Sequence, residues 1–215
     1  MTKPHLVCYP RPIKPGTGVE TVKKLHFALA GALLALTSVP APAQLSSARI
    51  DFIKAVKERD GNKATDLLRG NTQGLVDARD EDGDTALIIT ISRQDADWTG
   101  FLINKGADLD LPGKGGDTPL IAASRVGFEE AVEWLLSSGA RVDAANRMGE
   151  TPLIVAVQQR RPQIVKVLLN AGANPDKTDS AAGYSARDYA ARDARSRQIL
   201  QLIEAKKPKP AAAAR

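Results

Sequence analysis

The chain has 215 residues, 43% of them apolar, 26% charged and 4% aromatic, with a formal net charge of +5. That apolar share is enough for a core, and the length predicts one domain with tails. Cys8 is the single cysteine, and the two histidines, His5 and His26, both lie near the N-terminus. This excludes an internal disulfide framework, a cysteine-based zinc cage and a histidine-dependent active site in the folded part.

The positive charge belongs to the ends. Residues 1–43 carry five Lys/Arg against one acid, and residues 206–215 carry four Lys/Arg and no acid. Residues 44–205 carry 21 basic against 24 acidic residues, a net of −3. A nucleic-acid footprint needs a positive patch on the folded body, which this balance does not supply, so no nucleic-acid partner is expected.

Residues 1–21 hold Pro4, Pro10, Pro12 and Pro15 without a periodic pattern and read as a disordered or mis-assigned leader. Lys23-Lys24 follows Val22 directly, and a valine codon can start translation in bacteria. Residue 22 is therefore expected to be the true start. The run LHFALAGALLALTSV, residues 25–39, then leads to Pro40 and Ala41-Pro42-Ala43. A positive entry, a short apolar run and small residues before a cut form a secretory signal pattern. A membrane span needs about 20 apolar residues, so this run is short for one. No cysteine follows it, which argues against a lipid anchor. Residues 22–43 are thus read as a signal peptide with Ala41 and Ala43 at the cleavage site, no membrane span after processing, and a periplasmic monomer beginning at Gln44.

Residues 46–76 carry Ile50, Phe52, Ile53, Val56, Leu67 and Leu68 and predict a degenerate first unit. Two extra residues are expected within 70–74. From there the chain repeats itself. Gly83, Gly116, Gly149 and Gly183 are spaced 33, 33 and 34 apart, and Thr85, Thr118, Thr151 and Ser185 follow two positions later. Gly106, Gly139 and Gly172 form a second series at 33. The units predicted are 46–78, 79–111, 112–144, 145–177 and 178–205.

One unit shows why. The Thr118 hydroxyl suits a helix cap, and Pro119 suits the first helical position, which needs no amide partner. A helix over Leu120–Arg125 is followed by Gly127 as a left-handed turn. Val132, Leu135 and Leu136 then share a face of a second helix, closed by Gly139. Arg141 to Gly149 spans a hairpin to the next unit. A two-helix unit this small cannot bury its apolar face alone, so neighbours must stack on it. In the last unit Arg187 replaces an apolar residue, read as exposure at a terminal cap, and its hairpin holds one extra residue within 180–182. The tail, residues 206–215, is Lys/Pro/Ala-rich and reads as disordered.

A 33-residue period with GDTALI, GDTPLI and GETPLI, then KGAD, SGAR and AGAN, resembles the ankyrin repeat family over about residues 46–205. The resemblance implies an all-α solenoid of about five helix-turn-helix units with hairpin loops. It also implies a non-enzymatic module that binds a protein partner on a concave face of hairpin tips and first helices. Carried over residue by residue, that face comprises Glu81, Asp82, Asp84, Ser92 and Arg93, then Lys114, Asp117, Arg125 and Val126. Arg147, Met148, Glu150, Gln158, Gln159 and Tyr184 complete it.

Chemical motifs fail on inspection. The acids Asp80, Glu81, Asp82 and Asp84 around Gly83 lack the spacing and distant glutamate of a calcium loop. The glycines at 113, 115 and 116 lack a Walker lysine-Ser/Thr pair. Trp98 and Trp134 fall in second helices and read as core, and Arg160-Arg161 at an inter-helix turn reads as solvated. No cofactor, metal or catalytic residue is assigned. The alternatives are a small-ligand-binding protein or enzyme with an unrecognised carboxylate site, or an envelope protein held by its signal segment or basic tail.

Overall fold

Ten α-helices pair off along the chain in a computed structural model that describes residues 42–69 and 74–206, with side chains from Ser46 onward. The leader, the signal run through Ala41, residues 70–73 of the stretch 70–74 expected to hold two extra residues, and the tail from Lys207 lie outside the described residues. The first helices are α1 (Pro42–Glu58), α3 (Ala86–Ser92), α5 (Pro119–Val126), α7 (Pro152–Gln158) and α9 (Ala186–Arg192). Their partners are α2 (Gly61–Arg69), α4 (Ala96–Asn104), α6 (Glu129–Ser137), α8 (Pro162–Asn170) and α10 (Arg197–Ala205). Among the described residues there is no β-strand, only the isolated bridges Arg79–Thr85 and Thr178–Ser185. Among them, too, no helix is long and apolar enough to cross a membrane.

Short repeated signals start and stop these helices. The hydroxyls of Thr85, Thr118, Thr151 and Ser185 accept from the amides of Ile88, Ile121, Ile154 and Asp188. Each satisfies one of the orphan donors of a first helix. Each second helix from α4 to α8 ends in a Schellman motif. Ala107, Ala140 and Ala173 amides reach back to the carbonyls of Leu102, Leu135 and Leu168, while Gly106, Gly139 and Gly172 bond Ile103, Leu136 and Leu169. The glycine sits at φ +81, +97 and +92, where a Cβ is strained, and the alanine after it is buried. The Gly-Ala pairs of the sequence are thus one device used three times.

Stacking supplies the core. First helices pack on first helices from α1 through α9, and second on second from α4 through α10. Leu87, Leu120 and Leu153 are buried in the first row, and Leu102, Leu135 and Leu168 in the second. Phe101, Trp134, Val167 and Leu200, each 33 residues apart, are half-buried on the second helices. Trp134 is therefore a rim residue rather than the core residue the sequence suggests. Ile50 is also no core residue, with 68% of its surface exposed. Helix α1 runs back to Pro42, through Ala43 and Gln44 where the domain is expected to begin.

The turns within units correct another reading. Arg59, Gln94 and Arg160 adopt positive φ at the position Gly127 fills in its own unit. All three reach into the next unit: Arg59 to Asp95, the Gln94 amide to the Val126 carbonyl, and Arg160 Nε to Asp193 Oδ2 at 2.7 Å. Arg161 donates to the Val126 carbonyl. These arginines staple neighbours rather than standing free in solvent. Arg187 likewise holds Asp176 at 2.7 Å, so an ion pair replaces the lost leucine.

The Arg160 hydrogen bond, with the Arg195 amide behind it, holds the Asp193 carboxyl down at about 2. An unfolded aspartate titrates at about 3.9. Its stabilising contribution is thus complete above about pH 4 and fades as pH falls through about 2. The melting-temperature gap between wild type and Asp193→Asn is expected to close over that window. A gap that is constant with pH would assign Asp193 a packing role instead.

Candidate partner-binding face

Four hairpins project along the array, and three share one geometry. The amides of Asp80, Gly113 and Asn146 donate to the carbonyls of Asp84, Asp117 and Glu150, and Gly83, Gly116 and Gly149 close the turn onto residues 80, 113 and 146. In the last hairpin the Asp179 amide reaches Tyr184, one residue further, which accommodates the extra residue expected within 180–182.

The first hairpin residue organises each tip. Asp80 Oδ1 accepts from the amides of Asp82 and Asp84, Asn146 Oδ1 from Met148 and Glu150, and Asp179 Oδ1 from Ala182 and Gly183. Gly113 has no side chain to do this. Asp84 of the preceding hairpin takes over, its Oδ1 accepting from the Lys114 amide at 2.7 Å. A Cβ on Gly113 would stand 2.3 Å from that oxygen and 2.8 Å from Ile88 Cδ1.

The acidic tip is largely neutralised from within. Lys57 pairs with Asp80 at 3.0 Å and Lys114 with Asp82 at 2.7 Å. Burial raises the Asp80 carboxyl, but the Lys57 hydrogen bond and the amides of Asp84 and Asp82 carry it below the ordinary range. The oxygens that suggest calcium are spent on amides and lysines. Glu81 alone among these four acids has no such partner and is exposed.

In the middle of the array the expected contact residues join into one internal network. Arg125 holds Asp117 through Nε and Nη2 at 3.0 and 2.8 Å and lies 3.6 Å from Glu150. The Asn146 amide donates to both Asp117 and Glu150. Glu150 is buried, so its charge serves the scaffold. Arg93 spends its guanidinium on the carbonyls of Val56 and Lys57. Asp84, Arg93, Asp117, Arg125 and Glu150 therefore hold units together, and Val126 contributes its carbonyl.

Four further positions are open. Ser92, Arg147, Met148 and Gln159 are exposed, and Met148 is 51% so. Tyr184 is half-buried, edge-on to Tyr189 at 5.6 Å, with the Arg192 guanidinium 4.3 Å from its ring. Tyr189 donates to Asp179 at 2.6 Å and also hydrogen-bonds Gln158, so it braces the last tip from below. Burial raises the Asp179 carboxyl, but the Tyr189 hydrogen bond and the loop amides bring it below its ordinary value. Sequence reasoning missed Lys57, Asn146, Tyr189 and Arg192. Asn146 was within reach, since it stands one 33-residue period before Asp179.

A family model described as ankyrin repeats (3 copies) matches residues 52–146 and 114–179. A search of curated proteins finds no match. The match spans more than half of the chain, and the paired helices, capped threonines and stacked hairpins repeat in register through it. The chain belongs to the ankyrin repeat family, whose repeats form protein–protein interaction scaffolds and which is generally non-enzymatic.

Proposed function

We propose that this array binds a partner protein through its hairpin tips and first helices, in the bacterial periplasm. The observation that carries the reading is Met148. Its amide is pinned by Asn146 and its carbonyl accepts from the Ser180 amide at 2.8 Å, while its side chain stands exposed. An apolar contact on a fixed backbone costs little ordering on binding, and exposed methionine and tyrosine are enriched at interfaces. Glu81, Ser92, Arg147, Gln159 and Tyr184 share its face and are free enough to add specificity.

The test is a comparison of two faces, using a partner captured from an envelope fraction. Met148→Ala combined with Tyr184→Ala is expected to speed dissociation. Glu81→Lys should mainly alter association and its salt dependence, because such charges steer encounter. Glu133→Ala and Lys166→Ala on the second helices are expected to do little. Rates measured at two salt concentrations decide the matter, and damage confined to the second-helix pair refutes the assignment.

Export rests on Lys23-Lys24, the apolar run 25–39 and Ala41-x-Ala43. Ala43→Trp is expected to leave an unprocessed precursor, while the wild type begins at Gln44 by N-terminal sequencing. A stable full-length cytoplasmic form of the wild type is the opposing result.

A further inference from the structure

A groove of about 490 Å³ opens beside the hairpin stems and shares Arg147 with the contact set above. Its walls carry Arg79, Arg141 and Arg147, with Asp110, Gly116 and Asn146 among the other lining residues. Three guanidinium groups against one carboxylate leave a strong local positive charge, on a body whose overall balance is negative.

Each arginine is positioned without being neutralised fully. Arg79 Nη1 donates to the carbonyls of Gly83 and Pro112, which orient the group but carry no net charge. Arg141 meets Asp110 through Nε and through its own amide, leaving its terminal nitrogens uncommitted. The stem of Arg147 lies where a Cβ on Gly116 would stand, 2.7 Å from Cγ, so only glycine admits it. The Arg147 guanidinium has no carboxylate partner, whereas Arg59, Arg69, Arg93, Arg125, Arg160 and Arg187 all have one.

We infer that this groove binds the carboxylate of an acidic side chain on a partner protein, an extension that rests on the scaffold reading above. Guanidinium forks match a carboxylate in paired hydrogen bonds, and oriented forks lose little freedom in making them. Asp110 already satisfies part of Arg141, so the open donors lie on Arg79, Arg147 and the end of Arg141. A protein partner of the scaffold supplies carboxylates as the anions for these forks.

Fluorescein-labelled hexaglutamate titrated into the full chain, read by anisotropy, tests this. Saturable binding is expected. Arg147→Ala is expected to weaken it about tenfold, the loss of one charged hydrogen-bonding pair. Arg147→Lys keeps the charge but loses the fork and is expected to weaken it nearly as much. Lys166→Ala, which removes an equal charge from an exposed second-helix position, is expected to leave it unchanged, with melting temperatures confirming that all variants fold. Absence of saturation, or equal weakening by Lys166→Ala, overturns the site. Displacement by inorganic phosphate at lower concentrations than by acetate overturns a protein carboxylate as the occupant. Partner binding through Met148 and Tyr184 is measured on other residues, so failure of the groove and failure of the scaffold reading are separate results.

Discussion

Leu135→Ala is expected to destabilise the array by about 2–5 kcal/mol, the cost of emptying a buried leucine site. Leu135 is fully buried in α6, which packs between α4 and α8. Its carbonyl also accepts the Ala140 amide that closes the helix. A cavity there loosens two interfaces, because each unit lacks a core of its own. Glu133→Ala on the same helix is exposed and is expected to change stability by no more than ~0.5 kcal/mol. Denaturant midpoints for the two variants test the claim. Equal midpoints would mean that the units do not share a core.

Asp95→Ala is expected to cost about 2–3 kcal/mol, combining a lost helix cap with lost charged hydrogen bonds. The Asp95 carboxylate is buried and accepts from the Trp98 amide at the start of α4. It also holds Arg59 at 2.7 Å and stands 3.8 Å from Arg93. One side chain therefore starts a helix and ties the first unit to the second. Asp95→Asn keeps a capping oxygen and is expected to lose less. Hydrogen exchange should show the damage concentrated in α1 to α4, where the tie acts. A cost no larger than that of exposed Asp97→Ala would show that the staple carries no stability.

The parts of the fold that were legible in the sequence are those whose cause is local. Thr85, Thr118 and Thr151 cap the next turn, and Gly106, Gly139 and Gly172 close the last one, so their spacing reveals both helices and period. The face itself was only half legible. Asp84, Asp117 and Glu150 occupy one acidic position of the repeat, which in one sequence looks the same whether a residue awaits a partner or serves its neighbour. Only the stacked geometry shows Asn146 reaching both Asp117 and Glu150. Gln94 and Arg160 were hidden for a different reason. Their left-handed backbone normally favours glycine, and the contacts that hold them there come from the following unit.

The exchange between Asp84 and Gly113 bears on how such an array changes length. Tandem copies invite the gain or loss of a whole module by recombination. Excising residues 79–111 would leave the hairpin at Gly113 with neither an acceptor of its own nor the Asp84 oxygen that now serves the Lys114 amide. Inserting a copy whose tip begins with aspartate, in place of Gly113, would set a side chain against Asp84 and Ile88. The hairpin at Asn146 carries its own acceptor and has no such dependence. The second and third modules are thus keyed to each other like adjacent teeth, and shuffling that spares the pair is tolerated better than shuffling that parts it.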